Sequence, residues 1–288
     1  MKYAKVDKNQ PEIVKALRGC GAVVKHVHTV KNLFDILREL PESSVNLEID
    51  AEKNILNLSC AKINYSLLIT SSEEYPQVNF DNSSKAIKLN SKDLLNIVNK
   101  TSHAVSNDET RINLNGIYFQ ELENKLRAVA IDGHRLALLD IFNFDSDNQP
   151  LKDGVIIPKK GITELKRLAE NYIDSEVSLK IDESFIYASA NEEYFQSIRL
   201  IAREYPKYQT VIPSKTSFSL ALDRNTFINA VKRIKLLSNE KTNGIKINFG
   251  STELKLSSDH PSLGHAIEFL PVEYSGPEME IGFNARYM

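Results

Sequence analysis

Residues 114–139 read LNGIYFQELENKLRAVAIDGHRLALL. Asn115 to Phe119 mixes apolar and polar residues as a strand does, and Leu126 to Ile131 reads Leu-Arg-Ala-Val-Ala-Ile, the chemistry of a half-buried strand. Asn124 supplies the turn between them. Asp132-Gly133 ends the second strand, because glycine tolerates positive φ and Asp can accept from its own backbone. His134 and Arg135 follow, and then the apolar run Leu136 to Leu139. A polar pair on a tight turn beside apolar side chains can form the rim of a shallow docking pocket. The same residues also fit a plain hairpin with two exposed polar side chains, and this stretch alone leaves both readings open.

The chain around it has 288 residues, enough for two or three domains. Hydrophobic residues make up 42% of it, so a packed core is within reach, and the formal net charge of −2 is nearly balanced. A balanced total does not exclude nucleic-acid binding, since local patches matter more than the sum. Two cysteines, Cys20 and Cys60, with no CxxC argue against a disulfide framework or a zinc site. No apolar run approaches a membrane span and no signal-peptide core is present at the N-terminus. A soluble cytoplasmic protein without cofactor or metal is expected.

Outward from the opening stretch, the chain repeats itself. Lys31 to Leu40 is expected as a helix with Leu33, Ile36, Leu37 and Leu40 inward. Strands at Val45–Asp50, Ile55–Ala61 and Asn64–Thr70 follow, then Glu74-Tyr75-Pro76. Lys159 to Tyr172 is a second helix, with Ile162, Leu165, Leu168 and Ala169 inward. It leads to strands at Val177–Ile181, Phe185–Ala190 and Phe195–Ile201, then Glu204-Tyr205-Pro206. The two series match element for element at a spacing of about 130 residues. A second pair repeats at a similar interval: Lys85–Asn90 with helix Lys92–Val105, and Phe218–Asp223 with helix Asn225–Ser238. Strands at Gly244–Phe249, Leu254–Ser258 and Ala266–Leu270 follow the later pair. The expected class is α+β, built of tandem modules, each of two helices packed on antiparallel sheets. Residues 85–213 form a complete module. Residues 30–80 form the second half of a preceding one and 216–288 the first half of a following one, an array cut at both ends. Residues 1–29 stand apart, with a short helix after Asn9-Gln10-Pro11-Glu12 and a strand from Ala22 to His28. On that strand His26 and His28 share a face, but with no third ligand nearby an ordinary surface pair is expected.

The helices carry cations opposite their apolar faces: Lys92 and Lys100 on one, Lys159, Lys160, Lys166 and Arg167 on the next, and Lys232, Arg233 and Lys235 on the last. Carboxylates on these faces are few. Solvated helix faces explain any one of them, while recurrence over three helices fits contact with a phosphate backbone.

Catalytic signatures are missing: there is no phosphate loop, no dinucleotide fingerprint, no GxSxG and no Cys–His nucleophile context. Asp132 and His134 flank Gly133 on alternating sides of a turn and are not aimed at each other. Asp35 with Glu48-Ile49-Asp50 faintly suggests a metal-dependent nuclease, but that chemistry wants Glu-x-Lys, and Asp50 stands where the lysine would be.

Four motifs then occur in a telling order: Asp132-Gly133-His134-Arg135-Leu136-Ala137, Tyr205-Pro206 with Val211-Ile212-Pro213, Leu237-Ser238-Asn239-Glu240-Lys241, and Met279-Glu280-Ile281-Gly282-Phe283-Asn284. From Val30 to Met288 the chain resembles the bacterial sliding clamp, the β subunit of DNA polymerase III. The resemblance implies tandem DNA-clamp modules in a non-catalytic processivity factor. Two subunits of such clamps close as a homodimer ring around duplex DNA, touching phosphate without reading sequence. It also implies a pocket that takes a short linear peptide from polymerases and the clamp loader. By motif, that pocket would use Leu114, Gly133, His134, Arg135, Leu136, Pro213 and Tyr287. The family usually has Thr before Asp-Gly, and Ile131 stands there in this chain. The resemblance further places Tyr65 and Leu67 on one side of a subunit contact and Leu236 and Leu237 on the other. Residues 1–29 do not match it and look instead like the start of small phage-type nucleases, so a metal-dependent nuclease or nuclease-fused protein is the alternative.

Overall fold

The computed structural model of the chain describes residues 2–6, 22–23, 27–41, 43–50, 52–71, 86–191 and 194–288. The chain divides into two compact units, Met1–Phe80 and Asp81–Met288.

The described elements of the first unit are β1 (Lys2–Val6), β2 (Ala22–Val23), α1 (Val27–Glu39), β3 (Val45–Asp50), β4 (Ile55–Cys60), β5 (Ile63–Leu68) and β6 (Thr70–Ser71). An antiparallel sheet runs in the order β1-β3-β4-β5. Side chains alternate across its pleat, so Val45, Leu47 and Ile49 of β3 and Leu56, Leu58 and Cys60 of β4 all enter one core. Leu33 and Leu40 cover that core, with Ile36 and Leu37 partly buried beside them, which is the face expected of this helix. Two expectations change here. Lys2–Val6, from the segment expected to stand apart, is hydrogen-bonded along β3. The backbone is helical from Val27, so His28 opens α1 and does not end a strand. Apolar residues at three- and four-residue steps (Val27, Val30, Leu33, Leu37) favour the helical period over alternation. Cys20, His26 and Glu74-Tyr75-Pro76 lie outside the described residues.

In the second unit the chain continues through β7 (Ala86–Asn90), α2 (Ser91–Thr101), β8 (Gly116–Leu122), β9 (Lys125–Ile131), β10 (Leu136–Ile141) and β11 (Phe144–Ser146). The same pattern then recurs as β12 (Val155–Pro158), α3 (Lys159–Asn171), β13 (Glu176–Ile181), β14 (Phe185–Ala190) and β15 (Tyr194–Arg199). The opening stretch forms the hairpin β8–β9, closed by Glu123-Asn124 between the paired ends Leu122 and Lys125. Leu136–Leu139, read only as an apolar run, is part of β10, a third strand paired along β9.

The two halves of this module trade strands. Strand β12 pairs with β8 in the sheet β10-β9-β8-β12, and β7 pairs with β13 in the sheet β11-β7-β13-β14-β15. Neither half can keep both its ladders without the other. Helix α2 packs on α3, and both feed one buried core that includes Leu94, Ile97, Phe119, Leu126, Leu165 and Leu179. Asn90 caps α2, its side chain accepting from the Lys92 N–H at 2.8 Å.

The last elements are α4 (Arg224–Lys235), β16 (Gly244–Phe249), β17 (Glu253–His260), β18 (Gly264–Pro271) and β19 (Met279–Asn284), in a sheet ordered β18-β17-β16-β19. They enclose a separate core around Val231, Ile234, Ile247 and Leu256. Phe218–Asp223, expected as a strand, is extended chain without a ladder. Leu220 and Leu222 pack on the core, but nothing among the described residues takes the place that β13 has beside β7. Asp223 instead caps α4 by accepting from the Thr226 N–H at 2.7 Å. No helix among the described residues is long and apolar enough to cross a membrane.

Candidate docking site

The turn from β9 to β10 is built by one carboxylate. Asp132 Oδ1 accepts from the backbone N–H groups of His134 at 2.9 Å and Arg135 at 3.0 Å, and Oδ2 accepts from Arg135 Nε at 2.9 Å. Burial works to raise the Asp132 carboxyl. The His134 and Arg135 N–H donors and the Arg135 guanidinium outweigh it and hold the group below the ordinary carboxylate value. Gly133 takes φ +92°, a conformation L side chains rarely adopt. The guanidinium of Arg135 also donates to the His103 carbonyl just past α2.

That geometry aims two side chains at the segment after β19. The His134 ring stacks on Tyr287 with centroids 5.5 Å apart and planes 16° from parallel. The Arg135 guanidinium carbon lies 4.8 Å from the centre of the same ring, a cation–π contact. Gly133, His134, Arg135 and Tyr287 are therefore brought together from the turn after β9 and the segment after β19. Leu114 is buried in an adjoining cluster with Val129, Ile156, Tyr205 and Tyr208, against which Ile131 and Leu136 are partly buried. Tyr205 stacks on Tyr118 at 4.7 Å and donates to the Val129 carbonyl at 3.3 Å, and burial pushes its hydroxyl pKa up. Pro213 is exposed on the chain beyond the 3₁₀ turn Tyr208–Val211 and is not part of the Tyr287 stack.

Beside the stack opens a cavity of about 640 Å³ whose wall includes Arg135 and Tyr287. Its floor comes from residues the sequence reading did not single out: Phe227, Ile228 and Val231 of α4, with Ala285 and Met288. The signal for the α4 residues was an apolar stripe, which reads equally well as ordinary core packing.

The helix cations are less free than the sequence suggests. Lys92 pairs with Asp174 at 2.8 Å, Arg167 with Glu164 at 2.6 Å and Lys166 with Glu170 at 3.7 Å, while Lys159 donates to Asn107. Arg233 makes a two-pronged ion pair with Glu268 of β18, holding that carboxyl below its ordinary value. Three of these partners, Asn107, Asp174 and Glu268, lie off the helix that carries the cation, where inspection of one helix face does not find them. Lys100 and Lys160 are exposed and have no ion pair among the described residues. Lys232 and Lys235 line the cavity.

Of the four expected subunit-contact residues, Tyr65 lies 37% exposed on the sheet-edge strand β5, and Leu67 packs partly on the first core. Leu236 is 79% exposed just past α4, and Leu237 is half-buried. Leu68, not singled out from the sequence, is the most exposed apolar residue of β5 at 77%. For the nuclease alternative, Asp35 is exposed on α1 and Asp50 is paired with Lys53 at 3.4 Å. No group of three metal-ligating side chains gathers among the described residues.

An interlocked two-helix module on antiparallel sheets, followed by another helix-and-sheet unit whose Tyr287 stacks on the Asp132-held turn of the first, is the arrangement of a tandem clamp protein. Residues 88–207 match the family described as DNA polymerase III beta subunit, central domain, and residues 209–288 match its C-terminal domain. A beta sliding clamp of Caulobacter vibrioides is 32% identical over 279 residues, spanning 93% of this chain and 72% of that protein. The Escherichia coli K12 beta sliding clamp is 30% identical over 260 residues, spanning 90% of this chain and 69% of its own length. Among solved structures, a Bartonella birtlesii sliding clamp bound to griselimycin superposes with a TM-score of 0.79 at 33% identity, covering 89% of this chain and 69% of that one. The Pseudomonas aeruginosa DNA polymerase III subunit beta gives 0.78 at 28% identity, covering 88% and 69%. The chain belongs to the DNA polymerase III beta subunit family of sliding clamps.

Proposed function

We propose that this chain works as a sliding-clamp processivity factor, tethering a replicative polymerase to duplex DNA without catalysis of its own. Polymerase and clamp-loader subunits dock through a short linear peptide in the site formed by Leu114, Gly133, His134, Arg135, Leu136, Pro213 and Tyr287. The observation that carries this reading is the Asp132-held turn, which sets His134 and Arg135 against Tyr287 beside the apolar cluster that holds Leu114 and Leu136. The DNA contact is made to phosphate. Lys100 and Lys160 offer themselves directly, and Lys92, Lys159, Lys166 and Arg167 exchange weak exposed partners for it at little cost. Arg233 stays with Glu268. A homodimer ring uses the β5 edge at Tyr65 and Leu67 and the exposed Leu236 with Leu237, which blunts an otherwise sticky sheet edge. Residues 30–80, 85–213 and 216–288 serve as successive clamp modules.

The test is fluorescence anisotropy of a labelled Gln-x-x-Leu-Phe peptide against the full chain and its His134→Ala/Leu136→Ala variant. Saturable binding that the variant loses supports the docking site. Equal binding by both, or none by a folded wild-type chain, rejects it.

A further inference from the structure

We infer that the contact between two copies of this chain is a charge-free apolar seam joining β5 of one to β18 of the other, and that Arg233 keeps it charge-free by neutralising Glu268. The inference rests on the homodimer reading.

Both strands are outer strands of their sheets, so each leaves one side of its backbone without a ladder. Helix α4 packs against β18, and Arg233, one turn before Leu236, reaches Glu268 in the middle of that strand. β18 therefore runs beside the helix end that carries Leu236 and Leu237. Alternation along the two strands decides what their pairing would bury. On β18, Ala266 and Leu270 pack on the core beside α4, which turns Ile267 and Phe269 to the opposite face, where both are exposed. On β5, Leu67 packs on the first core, and Tyr65 shares its side, opposite Leu58 of β4. Leu68 is thereby turned to the other face. A β5–β18 ladder thus has apolar side chains on both faces: Leu68 with Ile267 and Phe269 on one, Tyr65 with Leu236 and Leu237 on the other.

Charge is missing from the same strands. Ile63–Leu68 holds no Asp, Glu, Lys, Arg or His. Gly264–Pro271 holds His265 near its turn and a single acid, Glu268. Lys255 and Asp259 stand one strand further in, on β17. The Arg233 guanidinium donates two hydrogen bonds to Glu268 and holds that carboxyl below its ordinary value. A carboxylate closed into the seam without a partner would lose its water and gain nothing in return. The two-pronged pair, made within one subunit, cancels the charge before the seam forms. Arg233 thereby has a task other than the phosphate contact that its helix face suggests.

The experiment is sedimentation equilibrium of the full chain between about 0.1 M and about 1 M salt, over which the screening length falls from about 10 Å to about 3 Å. The dimer dissociation constant is expected to stay level or fall as salt rises. Leu68→Lys and Phe269→Lys are each expected to weaken the dimer about tenfold or more, with melting curves matching wild type to establish folding. Arg233→Gln uncovers Glu268 and weakens the dimer, and adding Glu268→Gln restores it. A dimer that loosens steadily with salt overturns the inference while leaving the homodimer standing, because ion pairs then hold it. So does a dimer that tolerates both lysine substitutions, or one that Arg233→Gln leaves unchanged. A wild-type chain that is monomeric at every salt concentration rejects the homodimer reading itself.

Discussion

The Arg135 guanidinium lies 4.8 Å from the centre of the Tyr287 ring, joining the turn after β9 to the segment after β19. His134 stacks on the same ring, so one aromatic side chain closes the Asp132-held turn from a segment distant in sequence. A cation over an aromatic face contributes about 0.5–1 kcal/mol at an exposed site. Arg135→Ala and Tyr287→Ala in a double-mutant cycle, followed by urea unfolding, should show coupling of about that size. Strictly additive losses would mean that the two side chains meet without stabilising each other.

Gly133 occupies φ +92°, and a Cβ there would stand 2.7 Å from Arg111 Nη1. The arginine can swing aside, but the backbone strain stays. Gly133→Ala should therefore destabilise the chain by about 1 kcal/mol or more and weaken peptide binding together with it. Wild-type stability in the variant would show that the turn relaxes to negative φ.

Asp140 is held by Arg127 at 2.7 Å and Lys125 at 2.9 Å, all three largely shielded on neighbouring strands. The Arg127 hydrogen bond lowers the Asp140 pKa most, burial works against it, and Lys125 adds to the lowering. A depressed carboxyl stabilises the fold fully above its unfolded value near 3.8 and loses that contribution as pH falls through the lower folded value. Asp140→Asn should cost about 1.5–3 kcal/mol at neutral pH. Its deficit relative to wild type should narrow in strong acid, and a deficit that stays constant from neutral pH down to about pH 2 would contradict this linkage.

Leu94 is fully buried in the core that both halves of the central module share. Leu94→Ala should cost about 2–5 kcal/mol. Because β7 and β12 are traded between the two sheets, the loss should appear as one shifted transition. Tyrosine fluorescence suits the measurement, the chain having eleven tyrosines and no tryptophan. Far-ultraviolet circular dichroism should trace the same curve. Two separated transitions within this module would mean that its halves unfold independently.

Much of the fold was legible in the residues because it is written in local periods. Alternation in Val45–Asp50 and Ile55–Cys60 announced paired strands, and helical spacing in Lys159–Asn171 announced α3 with its inward face. The Asp132-Gly133 break was readable too, since its geometry is a property of two adjacent residues. Phe218–Asp223 was misread for the complementary reason. Its residues have strand character, but a strand needs a neighbour, and pairing is not recorded in a segment's own composition. The site divides along the same line. His134 and Arg135 were recognisable on their turn, whereas the α4 floor and the carboxylates holding Lys92 and Arg233 come from elements distant in sequence.

The sequence by itself determined the helix faces, the Asp132-Gly133 turn and the motifs that mark a sliding clamp, because each depends on residues within a few positions of one another. Tertiary structure alone decided that the halves of the central module exchange strands, that Tyr287 closes the turn, and that Lys232 and Lys235 rim an apolar cavity. Those outcomes depend on which surfaces meet when separate segments bury their apolar faces together, and burial is a property of the packed chain.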